Sequence, residues 1–137
     1  MLDARQFAAI VKGSALYDLV VTLPFATPWT FALLGWGLNH IDASLGLPGT
    51  LEAPHGLSML MGNLMGSVVI VWSVARLHLA LPILGRYDAA ARFLFAAWQV
   101  HALAGGLSWI ILPFLLIEIG LGIAQSLPVR RAAMAAT

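Results

Sequence analysis

Between Gly56 and Leu81 the chain reads "GLSMLMGNLMGSVVIVWSVARLHLAL", with Arg76 as the one residue of fixed charge. A run this long and apolar matches the length of a membrane-crossing helix. Hydrocarbon offers no water to the backbone, so each N–H and C=O must be satisfied within the protein. Similar runs occupy about 14–38, 88–105 and 107–127. They are too long for strands and show no alternation of period two, so helices are predicted. Only 9% of the residues are charged, against about 25% in soluble domains. The expected fold is all-α: an integral membrane four-helix antiparallel bundle, built as a single membrane domain over residues 1–137.

The basic residues set an expected orientation. Arg5 and Lys12 precede the first span, Arg76, Arg86 and Arg92 surround the second connection, and Arg130 and Arg131 follow the fourth span. Residues 39–55 hold Asp42 and Glu52 and no basic residue. By the positive-inside rule both termini are cytoplasmic. Before the first span, Phe7, Ile10 and Val11 share a face opposite Arg5 and Lys12. This pattern predicts an interfacial helix over 3–13, capped by Asp3 and ended by Gly13. The first span is too long for a signal peptide and has no strong small-residue cleavage site after it. A net charge of +1 without a basic stripe argues against nucleic acid as a partner, leaving the lipid bilayer, a larger membrane protein or further copies of the chain. The chain has no cysteine, which excludes disulfides and thiolate metal sites.

Each span is expected to present one polar stripe. In the second, Gly62, Asn63, Gly66, Ser67 and Ser73 align, with Leu57, Leu60, Leu64, Val68, Val71 and Trp72 turned to lipid. Gly62 and Gly66 have the spacing that lets helix backbones approach closely. Ser108, Ile111, Leu115, Glu118, Gly122 and Gln125 align in the fourth span, Asp88, Arg92, Phe95, Gln99 and Gly106 in the third, and Ser14, Asp18, Thr22 and Phe25 in the first. Four such stripes converge naturally in a bundle. Pro24 and Pro28 each remove a backbone donor and predict a kink in the first span. The segments "YDLVVTLPFA" from Tyr17 and "YDAAARFLFA" from Tyr87 echo each other. The simplest account places Tyr at interfaces and Asp at helix N-termini.

Glu118 is the residue that most demands an explanation, since an ionisable group within a span is a functional candidate by default. It is either a proton-relay or ligand-binding group or an uncharged packing group bonded to Asn63, Gln99 or His101. At 1.5 Å per residue it lies about 15 Å from the outer end of its helix. Asp18, Asp88, Arg76 and Arg92 fall near the cytoplasmic boundary, and Asp88 and Arg92 have the i,i+4 spacing of an ion pair. They read as an ionic latch that fixes bundle register. His40, Asp42, Glu52 and His55 are metal-ligand types in the outer connection, at spacings that match no strong motif. The thioethers of "HGLSMLMGNLM" fall on different helical faces and read as packing. His78 and His101 sit at opposite ends of their helices, poorly placed to share a haem. No nucleotide-binding or hydrolase motif is present, and the residues define no cofactor.

The stretches "YDLVVTLPFATP", "GNLMGSVVIVWSVARL" and "LGRYDAAARFL", on a short four-span layout, resemble the DoxX-like group of small bacterial membrane proteins. The resemblance implies a bacterial inner-membrane location and an accessory rather than catalytic role, since some members partner redox enzymes. The leading expectation is a non-catalytic accessory or scaffold subunit of a larger membrane complex. The alternatives are an oligomeric small-molecule or proton-coupled carrier with Glu118 in its pathway, and a quinone- or cofactor-associated redox subunit using His101, Glu118 and Trp109.

Overall fold

Residues 2–130 of this chain are described from a computed structural model; Arg131 lies outside them. They form five α-helices and two short 3-10 turns, with no strand. Helix α1 covers Ala4–Thr22 and opens on a capping box: Gln6 N–H donates to Asp3 Oδ1 at 2.7 Å, and Asp3 N–H to Gln6 Oε1 at 3.0 Å. It runs through Gly13 without a break, so the segment 3–13 is not a separate interfacial helix. Phe7, Val11, Ser14, Ala15 and Asp18 form one buried face along its length. Ending the helix at Gly13 would split that face, and tertiary packing outweighs the small cost of one glycine.

The first predicted span is two helices. After Thr22 the chain makes a 3-10 turn at Leu23–Ala26, and α2 covers Pro28–Leu45. Thr27 is extended (φ −131°, ψ 150°), caps α2, and is followed by Pro28 at the first helical position. Two carbonyls at the break find side-chain donors: Thr30 Oγ1 donates to Pro24 O at 2.6 Å, and Asn63 Nδ2 to Phe25 O at 2.7 Å. A backbone break in an apolar chain persists only with such replacement bonds. Helix α2 then continues past the predicted end at Leu38 to Leu45, where left-handed Gly46 (φ 59°) stops it.

Helix α3 covers Gly56–Leu79 and α4 covers Pro82–Ala104. Pro82 at the first helical position starts α4 well before Asp88. Asp18 and Asp88 are therefore not helix N-terminal residues, which removes the simplest account of the Tyr-Asp echo. Gly105 and Gly106 turn the chain, Gly106 at φ +97°. Ser108 caps a 3-10 turn at Trp109–Ile111, and α5 covers Leu112–Ser126. Among the described residues, three segments are long and apolar enough to cross a membrane: Ala4–Ala26, Gly56–Leu79 and Trp109–Ser126.

The two ends of the molecule are closed differently. At one, Leu2 N–H donates to Pro128 O at 3.0 Å and Arg130 N–H to Leu2 O at 2.9 Å, so the two terminal segments lie side by side. Arg86 donates to Gln125 O and Leu127 O, each at 2.7 Å, and stacks over the Phe7 ring. At the other end, Thr50 exchanges backbone bonds with Gly106 and Ser108 at 3.0 Å, and Ser108 Oγ donates to Asp42. The connection between α2 and α3 is thus tied to the turn between α4 and α5.

Helix α1 packs on α3 and α4 on α5, with α1 touching both members of the second pair. Gly62 and Gly66 face the 3-10 turn and α2 rather than a second chain. A Cβ at Gly62 would stand 2.2 Å from the Phe31 ring, and one at Gly66 2.5 Å from Phe25 Cβ. The expected lipid face of α3 is exposed at Leu57, Leu60, Leu64, Val68 and Val71. Trp72 departs from it: the indole turns inward and donates from Nε1 to Asp88 Oδ1 at 3.0 Å.

Candidate functional site

The largest fully buried side chains of this molecule are Arg76 and Arg92, at 0% and 2% exposure, while leucines and valines fill its outer surface. That is the reverse of a water-soluble core. Two features of the helices produce it. Ser14 and Asp18 are one turn apart on α1, and Ser73 and Arg76 are neighbours on α3. Asp88 and Arg92 are one turn apart on α4, and Glu118 faces them from α5. Gly122 keeps α5 close: a Cβ there would stand 3.3 Å from Phe93 and 3.5 Å from Arg92 Cβ.

The bonding is dense. Arg92 donates from Nη1 to Glu118 Oε2 at 2.7 Å, from Nη2 to both oxygens of Asp18 at 2.7 Å, and from Nε to Asp88 Oδ2 at 3.1 Å. Arg76 pairs with Asp18 through Nη2 and with Asp88 Oδ2 through Nη1 at 2.5 Å. The Ser14 hydroxyl accepts from Arg92 at 2.7 Å and Arg76 at 3.1 Å, and donates to Asp88 at 2.9 Å. Ser73 Oγ accepts from Arg76 at 3.2 Å. Planar guanidinium forks suit this many-sided pairing, which a point-charge ammonium could not match.

Two arginines therefore cement four helices. Asp18 lies on α1, Arg76 on α3, Asp88 and Arg92 on α4, and Glu118 on α5. The four residues read from sequence as an ionic latch come together here: Arg76 lies in the last turn of α3 and Asp18 in the last turns of α1, while Asp88 and Arg92 stand further into α4. Arg92 stands ten residues into α4, about 15 Å of helix rise.

Glu118 belongs to this cluster, not to the predicted set of Asn63, Gln99 and His101. Asn63 is spent on the Phe25 carbonyl. Gln99 Oε1 is buried without a partner, and His101 is exposed, edge-on to Trp98 at 6.3 Å between ring centroids. Asn63 was drawn away by the proline break, a need that sequence spacing does not display. His40 stacks on Trp36, Asp42 accepts from Ser108, and the His55 ring bonds the Ala53 carbonyl. Glu52 lines an open cleft, and the described residues contain no group of three or more metal-ligand side chains. Sequence reasoning missed Trp72 and Tyr17. The Tyr17 hydroxyl is buried without a partner, in the field of Glu118, Arg92 and Asp18. The repeated Tyr-Asp pair was the available signal, since both aspartates enter the cluster.

The cleft holds about 590 Å³ between α2, the outer connection and the end of α4. Phe25, Phe31, Leu34, Leu38 and Leu107 line it, with His101, Glu52 and Ser58 as polar groups. Glu118 and its partners are not part of its wall. The cleft and the ionic cluster are separate features.

Compared with known protein families, curated proteins and solved structures, the chain matches none of them. Its class is defined by the fold and the cluster: an all-helical protein with three membrane-compatible helices, joined by a buried network of arginines and carboxylates.

Proposed function

We propose that this protein is a non-catalytic accessory or scaffold subunit of a larger complex in a bacterial inner membrane. In this reading α1, α3, α4 and α5 form a four-helix antiparallel membrane bundle with both termini cytoplasmic, on the layout of the DoxX-like group. The observation that carries it is α2. Of its 18 residues only Gly35 is buried. Trp29, Leu33 and Trp36 align on one face with exposures of 78%, 66% and 67%. Helix α2 rests mainly on α3 and the 3-10 turn, which leaves that face uncovered; in this reading a partner covers it. Exposed aromatic side chains at helical spacing are typical anchors for a partner helix. The ionic cluster supports the same reading, because its guanidiniums and carboxylates pair mainly with one another across four helices.

Purification from native membranes in mild detergent tests the proposal. A protein partner in fixed stoichiometry, lost on the double change Trp29→Ala and Trp36→Ala, is the supporting result. A chain that purifies alone, whatever the state of α2, overturns it. Orientation is tested separately by single cysteines, which the cysteine-free chain permits without background. Thr50→Cys should react with an impermeant maleimide from the periplasm and Arg130→Cys should not.

A carrier is the second reading, favoured by the 590 Å³ cleft. It requires a route from the cleft past Phe25 and Phe31 to Glu118. A solute-uptake assay in which Phe25→Ala raises the rate and Glu118→Gln abolishes it would prefer this reading to the first.

A further inference from the structure

The ionic cluster does not balance. Asp18, Asp88 and Glu118 bring three negative charges and Arg76 and Arg92 two positive ones, a formal sum of −1. An uncompensated charge within a low-dielectric bundle is costly, and three carboxylates in one site oppose one another. Among the described residues, His78 and Lys12 are exposed and neither pairs with a carboxylate of the group. Arg86 of α4 is spent on the Gln125 and Leu127 carbonyls.

The three carboxylates are not equally satisfied. Asp18 is paired with both arginines, and Asp88 with both arginines, Ser14 and Trp72. Glu118 has one bond, to a guanidinium that Asp18 and Asp88 already share, and its Oε1 has none. Neutral groups with spare bonding capacity stand beside the cluster. The Tyr17 hydroxyl is buried without a partner. Gln125, at 0% exposure, faces Asp88 with neither amide atom in a closed hydrogen bond. We propose that the cluster is a proton-binding site that holds one proton at neutral pH, and that Glu118 carries it.

The proton brings the formal charge to zero and keeps the Arg92 bond, since Oε2 can still accept while Oε1 becomes a hydroxyl. Loss of the proton leaves one negative charge among Asp18, Asp88 and Glu118. Protonation thereby couples to the contact between α5 and the rest of the bundle, because Glu118 is the cluster's only member on α5. Titration belongs to the cluster as a unit, so the residue that bears the proton must be read by a label.

Isotope labelling allows this without any mutation. The chain holds two glutamates, Glu52 and Glu118, and Glu52 is exposed in the outer connection. Infrared spectra of the full chain in lipid nanodiscs at neutral pH should show a protonated-carboxyl band of one group per chain. Carboxyl-¹³C glutamate should shift that band and ¹³C aspartate should not. Glu52→Gln should leave it in place. Glu118→Gln, which mimics the neutral acid in shape and polarity, should remove it with little change in thermal midpoint. Absence of the band in the unmutated chain, or a band that follows the aspartate label, overturns the proposal.

Discussion

Arg92 Nη1 donates to Glu118 Oε2 at 2.7 Å, and among the described residues it is the one ionic link between α5 and the remainder of the bundle. The same guanidinium reaches Asp18 on α1 and Asp88 on its own helix. One side chain therefore sets the relative position of three helices. A hydrophobic contact could slide along these apolar faces with little penalty; a fork of fixed donors cannot.

Arg92→Ala should be the most damaging single change in the chain. It leaves Glu118 with no guanidinium and Asp18 and Asp88 with Arg76 alone, a loss of about 3–5 kcal/mol. Arg92→Lys keeps the charge without the fork and should fall between the two. Thermal unfolding in detergent, followed by circular dichroism, reads both. A midpoint for the alanine variant equal to that of the unmutated chain would show that the cluster does not hold the bundle.

Trp72→Phe should preserve packing and remove one donor from Asp88. Leaving that acceptor short of a hydrogen bond should cost about 1–3 kcal/mol. Since the indole is only half-buried, a neutral result in denaturant titration would mean that water replaces it.

Gly66→Ala should destabilise by about 1–3 kcal/mol through overpacking, because the new methyl meets the backbone as well as the side chain of Phe25. Gly120 has no atom within 4 Å of an added Cβ. Gly120→Ala should therefore cause no loss. Parallel unfolding curves check the pair, and equal midpoints would mean that the Phe25 turn moves freely away from α3.

Ser108→Ala breaks the bond to Asp42 and uncaps the turn before α5. The expected loss is about 1 kcal/mol, concentrated at the outer end. Amide exchange should rise in residues 46–55 and stay unchanged near Arg76. Uniform acceleration through the whole chain would contradict a local latch.

The resident proton adds a further expectation. Glu118→Gln should bring the unfolding midpoint closer to pH-independence than that of the unmutated chain. A midpoint with the same pH dependence in both would remove Glu118 as the group that titrates.

Much was legible before any coordinates. Apolar runs of membrane length and their lack of strand periodicity fix helix as the only economical backbone state. Asp3 announces the start of α1, and Gly105 and Gly106 the turn into the last helix. The prolines at 24 and 28 predict a kink, where the structure has a full break between two helices, and i,i+4 spacing pairs Asp88 with Arg92. These are local properties, set within one or two turns of chain. Which helices touch is not local. That Glu118 meets Arg92 rather than Asn63, that Trp72 turns from lipid toward Asp88, and that Gly62 and Gly66 receive Phe31 and Phe25 depend on how four helices rotate about their axes. Apolar faces of similar composition leave that rotation nearly undetermined. The buried arginines bear on it, because the observed arrangement gives each of Asp18, Asp88 and Glu118 a guanidinium.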